Sequence, residues 1–158
     1  CPDLGAYPQS ELIVTCQRCN AYSVVCCQHT AKQSTLSGRV CHHRKVSFTD
    51  GACSRNGAQD TTAGIGVAMG TAEDQHMAIP IDDTVEINRD ARRTSQRAEL
   101  LAAMEGVRKL LRRKEDHEEH YHPSGNRNQG QGSEYIIGTD FEYVVLDMSD
   151  WLPAWKVS

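Results

Sequence analysis

Three acidic residues occupy places where a carboxylate needs a reason. Asp50 ends the strand-like run "KVSFTD", Glu99 opens an amphipathic helical run, and Asp140 ends a second strand-like run, "EYIIGTD". If the two strands are neighbours and the helix packs over them, the carboxylates converge at one end of a sheet. Like charges brought close repel one another, and hard oxygen ligands relieve that repulsion by sharing a divalent cation, Mg2+ or Mn2+. Taken singly, each acid also has a plain structural reading. An Asp before Gly serves a turn, and an early-helix Glu complements the helix dipole. The chemistry therefore depends on the elements that carry the three residues.

Val46 and Phe48 alternate with polar residues and predict a strand; "NGAQDTTAG" reads as a turn and "AGIGVAMG" as a second strand, so that the two form a hairpin. A third strand is expected in "QHMAIPI", with Pro80 placing it at an edge or ending it. In "TSQRAELLAAMEGVRKLLRRK" the residues Leu100, Ala103, Met104, Val107, Leu110 and Leu111 have the spacing of one buried helical stripe, and Thr94 or Ser95 can cap the start. Residues 114–133, polar and rich in Gly and Asn, read as a flexible insert in which His117, His120 and His122 sit in a solvated loop. "EYIIGTD" is a fourth strand and "FEYVVLDMSDWLPAW" a short helical stretch. The sum is an α/β layer, a helix on a mixed sheet.

A chain of 158 residues builds one ordinary domain, or one domain and a small appendage. No apolar run approaches the ~20 residues needed to span a membrane, and a net charge of -4 leaves any nucleic-acid contact to local patches. The chain begins at Cys1, which reads as a fragment edge. Six of the seven cysteines lie in residues 1–44 together with three histidines, a Cys/His-rich leader expected to be zinc-binding or disordered. Its "CQRC" and "CCQH" suit metal or free thiols better than a disulfide framework, and so an intracellular, reducing compartment. Cys16 and Cys19 can supply two ligands of a tetrahedral zinc site, with the second pair coming from Cys27 and His29 or from the later cluster of Cys41, His42 and His43.

From Lys45 onward, "FTDGACSRNG", "RRTSQRAELLAA" and "IIGTDFEYVV", the last followed by two tryptophans, resemble in order the leading motifs of type 1 ribonuclease H. That family cuts the RNA strand of RNA/DNA hybrids on a five-stranded mixed sheet with flanking helices. The resemblance implies that residues 45–158 are an RNase H-like domain and that Asp50, Glu99 and Asp140 are three of its four metal-binding carboxylates. Asp50 would bridge two ions, and Glu99 would lie near the 2′-hydroxyl of the scissile nucleotide. It further implies that Asn56 and Gln96 touch the hybrid's minor groove, with Ser95 in a place usually held by asparagine. Arg92 and Thr94 would grip a phosphate of the DNA strand. Tyr143, Trp151 and Trp155 match positions beside that strand, where core packing is the competing use of an aromatic. Gly51 is expected to let backbone lie close to substrate.

Two departures accompany the match. Phe141 stands where the family usually has serine, and family members continue beyond a point equivalent to Ser158 through a final strand, a histidine-bearing loop and a last helix with the fourth carboxylate. The domain is thus expected to be C-terminally incomplete. The reading is a hybrid-specific endoribonuclease using Mg2+ or Mn2+; its alternatives are a catalytically impaired RNase H-like binding module and the nuclease portion of a retroelement polyprotein.

Overall fold

A computed structural model describes residues 8–17, 19–25, 44–56, 58, 60–81, 92–120 and 134–146, with the side chains of the long helix described as far as residue 113. A short helix α1 (Gln9–Leu12) leads into strands β1 (Ile13–Thr15) and β2 (Tyr22–Val24). After them come β3 (Arg44–Cys53), β4 (Ala63–Ala68) and β5 (His76–Pro80), then the long helix α2 (Ser95–His120), β6 (Glu134–Gly138) and α3 (Glu142–Leu146). The six strands form one mixed sheet in which β3 and β6 run parallel and every other pair is antiparallel. This is the α/β architecture expected of an RNase H-like chain. Among the described residues no helix is long and apolar enough to cross a membrane.

The β3–β4 hairpin forms as read, and β5 lies at the sheet's edge with Pro80 as its last residue, where a missing N–H leaves no ladder bond broken. Lys45 and Phe48 each have a partner in β6, so β2, which meets Lys45, and β4, which meets Phe48, lie end to end along the opposite edge of β3. Strands from both sides of residue 44 join this sheet. The β1–β2 hairpin from the leader is hydrogen-bonded into it, and Tyr22 packs edge-on against Phe48 with ring centroids 5.6 Å apart.

The helix begins where expected but buries a different face. Ala98 and Ala102 are 0% exposed, Gly106 is buried and Leu110 is 1% exposed; this i, i+4 series lies on the sheet. A Cβ on Gly106 would stand 2.6 Å from Thr49 Cγ2, so helix and strand approach too closely for large side chains. The predicted stripe fails accordingly. Leu100, Met104, Val107 and Leu111 are 37–50% exposed, and of the large residues in that stripe only Leu110 is buried. Ile65 and Ile81, with Ala63, Ile79 and Leu101 against them, complete the core under the helix start. The helix also runs on to His120, six residues past the expected end at Lys114. The one Lys and three Glu of "KEDHEEH" are good helix formers.

Candidate metal centre

The register of β3 and β6 places two of the three acids. Arg44 pairs with Glu134 at the start of the parallel ladder, joined by a 2.7 Å ion pair, and Lys45 lies over the Tyr135 ring. The ladder ends at Phe48 opposite Gly138, whose lack of a side chain makes room for the Phe48 ring. Two residues further along each chain are Asp50 and Asp140. With a side-chain period of two, both carboxylates fall on one face, and a one-residue slip would separate them. Asp140 therefore sits two residues beyond the strand that the sequence has it ending.

The third acid comes from the helix. Gly51 follows Asp50, and a Cβ there would collide with the Ala98 carbonyl carbon and the Glu99 nitrogen. The space that Gly51 frees is thus filled by the first turn of α2, not held open for substrate, and Glu99 is fixed beside Asp50. Thr94 caps this turn: its Oγ1 accepts the Arg97 N–H at 3.3 Å. Asn56 Oδ1, from the β3–β4 connection, accepts the Ser95 N–H at 3.0 Å. That connection is itself braced by Thr61, whose hydroxyl contacts the Arg55 and Ala58 carbonyl oxygens at 2.9 and 2.6 Å, and by the Arg55–Asp60 ion pair.

Asp50, Glu99 and Asp140 consequently each offer a carboxylate oxygen within 4.8 Å of the others, the two aspartates exposed and Glu99 7% exposed. The Gly51 N–H donates to the Glu99 carboxylate, while its Oε2 is buried without a hydrogen-bond partner. An orphaned carboxylate oxygen beside two more carboxylates is a donor set that a hard divalent cation fits.

Burial raises the Glu99 carboxyl above the ordinary glutamate range and the Asp50 and Asp140 charges add to the rise, against the Gly51 hydrogen bond. Without a cation, the folded chain holds this proton more tightly than the unfolded chain does. Its contribution to stability is then complete below the ordinary glutamate range and is lost as pH climbs through the raised value. In chelator, Glu99→Gln is expected to melt about a few degrees above the parent near neutrality and to converge with it in acid. Melting temperatures of both proteins across a pH series check this, and parallel curves would contradict it.

Of the remaining residues singled out by sequence, Arg92 and Gln96 are exposed, and Thr94, Ser95 and Asn56 meet at the helix start. Tyr143 is exposed, its ring centroid 5.5 Å from that of Phe141. Trp151, Trp155, Cys27 and His29 lie outside the described residues. Sequence reasoning missed the contact made at Gly51 and the capping use of Asn56; the glycine directly after an acid was the available signal for the first.

Residues 42–158 match the family model described as RNase H. The chain is 24% identical over 117 residues to a ribonuclease H of Schizosaccharomyces pombe, an overlap covering 74% of this chain and 34% of that protein. It is 27% identical over 112 residues to ribonuclease H1 of Rattus norvegicus and 27% identical over 111 residues to ribonuclease H1 of Homo sapiens. Each of these overlaps covers 70% of this chain and 30% of the relative. The chain thus spans about a third of the length of these curated relatives.

Proposed function

The chain belongs to the RNase H family, and from that premise and its three convergent carboxylates we propose that it hydrolyses the RNA strand of RNA/DNA hybrids. The observation that carries the reading is the meeting of Asp50, Glu99 and Asp140 at one end of the β3–β6 ladder, on the three segments that resemble the family's motifs.

Asp50, Glu99 and Asp140 are the residues that would hold Mg2+ or Mn2+. Such ions supply Lewis-acid stabilisation to the attacking and leaving oxygens of a phosphodiester. With the three carboxylates committed to holding the cation, water is the attacking group: it adds to phosphorus and the bond to the leaving sugar oxygen breaks. Unneutralised, three carboxylates would repel a phosphate group, which makes the reaction dependent on the cation.

The groups around the helix start suit a duplex backbone. Asn56 uses Oδ1 on Ser95 and keeps its amide NH2 for a groove edge; Thr94 accepts from Arg97 and keeps its hydroxyl hydrogen for a phosphate oxygen. Exposed Arg92 and Gln96 flank them. Recognition of this kind reads helix shape and the 2′-hydroxyl, with little base preference.

The test presents one sequence to the intact protein as RNA/DNA, RNA/RNA and DNA/DNA duplexes in Mg2+. Cleavage confined to the RNA strand of the hybrid is expected. Equal cleavage of all three duplexes would overturn the substrate assignment, and tight hybrid binding without cleavage would favour a non-catalytic module.

A further inference from the structure

We infer that Thr61 is a positioning residue: its hydroxyl sets the direction of Asn56 and, through Asn56, the grip on a hybrid's groove, an inference that rests on the hybrid reading above. Beyond the last ladder pair, Cys53 with Ala63, the β3–β4 connection is closed by Ser54 and Thr62. The Ser54 N–H donates to the Thr62 carbonyl at 2.8 Å, and the two hydroxyl oxygens lie 2.7 Å apart. Inside this neck Thr61 is 6% exposed. Its Oγ1 lies 2.9 Å from the Arg55 carbonyl oxygen and 2.6 Å from that of Ala58, so its one hydrogen is shared between them. The Ala58 N–H donates to the same Arg55 carbonyl at 2.9 Å.

The Arg55 carbonyl is thus held at two points, and it belongs to the rigid peptide plane that leads into Asn56. Arg55 has φ 48°, a left-handed conformation that a long side chain keeps only where surrounding contacts impose it. The Arg55–Asp60 ion pair is the weaker brace, because its side chains are 66% and 67% exposed and water screens such a pair. The buried hydroxyl of Thr61 is the stronger one.

From this fixed plane Asn56 reaches Ser95 and accepts its N–H at 3.0 Å. Thr61 meets the same segment through its backbone, where its carbonyl accepts from the Arg93 guanidinium at 3.3 Å. The connection is therefore tied to both residues that flank Thr94. Glu99 has separate support in the packing of α2 at Gly51. Loss of the Thr61 hydroxyl consequently disturbs the binding of a hybrid and spares the metal centre.

Thr61→Val in the intact protein keeps the side chain's shape without the hydroxyl. It is expected to raise KM for a hybrid about fivefold, the worth of one hydrogen bond, at unchanged kcat and Mn2+ affinity. Thr61→Ser should restore the parent's KM. In an Asn56→Ala background Thr61→Val should add nothing, because its effect passes through Asn56. Without any hybrid present, the Ser95 amide should exchange its hydrogen faster in Thr61→Val than in the parent. A rise in KM that adds in full to that of Asn56→Ala, no rescue by Thr61→Ser, or unchanged Ser95 exchange would each overturn the assignment. So would failure of both Thr61→Val and Thr61→Ala to fold, which would make the hydroxyl a condition of stability. Faster Ser95 exchange in a protein whose parent cleaves no hybrid would support the positioning and count against hybrid hydrolysis alone.

Discussion

Asp50→Asn in the intact protein is expected to reduce Mg2+-dependent cleavage of a hybrid's RNA strand by about 10³-fold or more, with little change in melting temperature. Asp50 lies two residues past the last pair of the β3–β6 ladder, as Asp140 does on the other side, and one residue before the Gly51–Glu99 contact. An amide of the same shape keeps the strand and removes a charge that helps to hold a cation. Charge stabilisation by such an ion contributes several kcal/mol to the transition state, and ~4 kcal/mol corresponds to about 10³ in rate. Because Asp50 is exposed, no buried partner is left unsatisfied by the change. Initial rates on a labelled hybrid, beside a thermal melt, check both halves; a variant as fast as the parent would remove Asp50 from the site.

Gly51→Ala is expected to act through position, without altering any charged group. The new methyl would meet the backbone of Ala98 and Glu99, which cannot swing aside as a side-chain tip can. Helix and strand must separate, at a cost of at least about 3 kcal/mol, the upper end of overpacking penalties, or roughly 6–12 °C in melting temperature. Separation also carries Glu99 away from Asp50, and misplacement of ~1 Å at a reacting centre costs about 10²-fold in rate. Gly64→Ala in β4 is the matched control: its methyl would lie 3.5 Å from the Ile79 carbonyl oxygen, ordinary contact, and should leave stability within about 1 kcal/mol. Melts and cleavage rates of the two variants compare the sites directly. A Gly51→Ala protein indistinguishable from Gly64→Ala would contradict the close packing of α2 on β3.

The contrast between these two glycines shows what sequence carries and what it does not. Alternation at Val46 and Phe48, the turn after Cys53 and the polar caps before α2 are local signals, and each element they mark is present. The three acids were legible because each lies near the end of such an element. Which side of α2 faces the sheet was not legible. The sequence offers two apolar stripes, and the larger, Leu100 to Leu111, lost to Ala98, Ala102 and Gly106 because a helix lying this close to a strand admits only small residues. The β1 and β2 strands, three residues each, are too short for a periodicity to be read; their place is set by hydrogen bonds to Met69 and Lys45, distant in sequence. Asn56 shows the same limit, since its role as an acceptor for Ser95 depends on two segments 39 residues apart.

The most direct test of a single three-acid centre is to change Asp50, Glu99 and Asp140 one at a time to the corresponding amide and measure Mn2+ binding by electron paramagnetic resonance beside hybrid cleavage. Each folded variant is expected to lose affinity for Mn2+ and cleavage together. One folded variant retaining both the parent's Mn2+ affinity and its cleavage rate would contradict the centre.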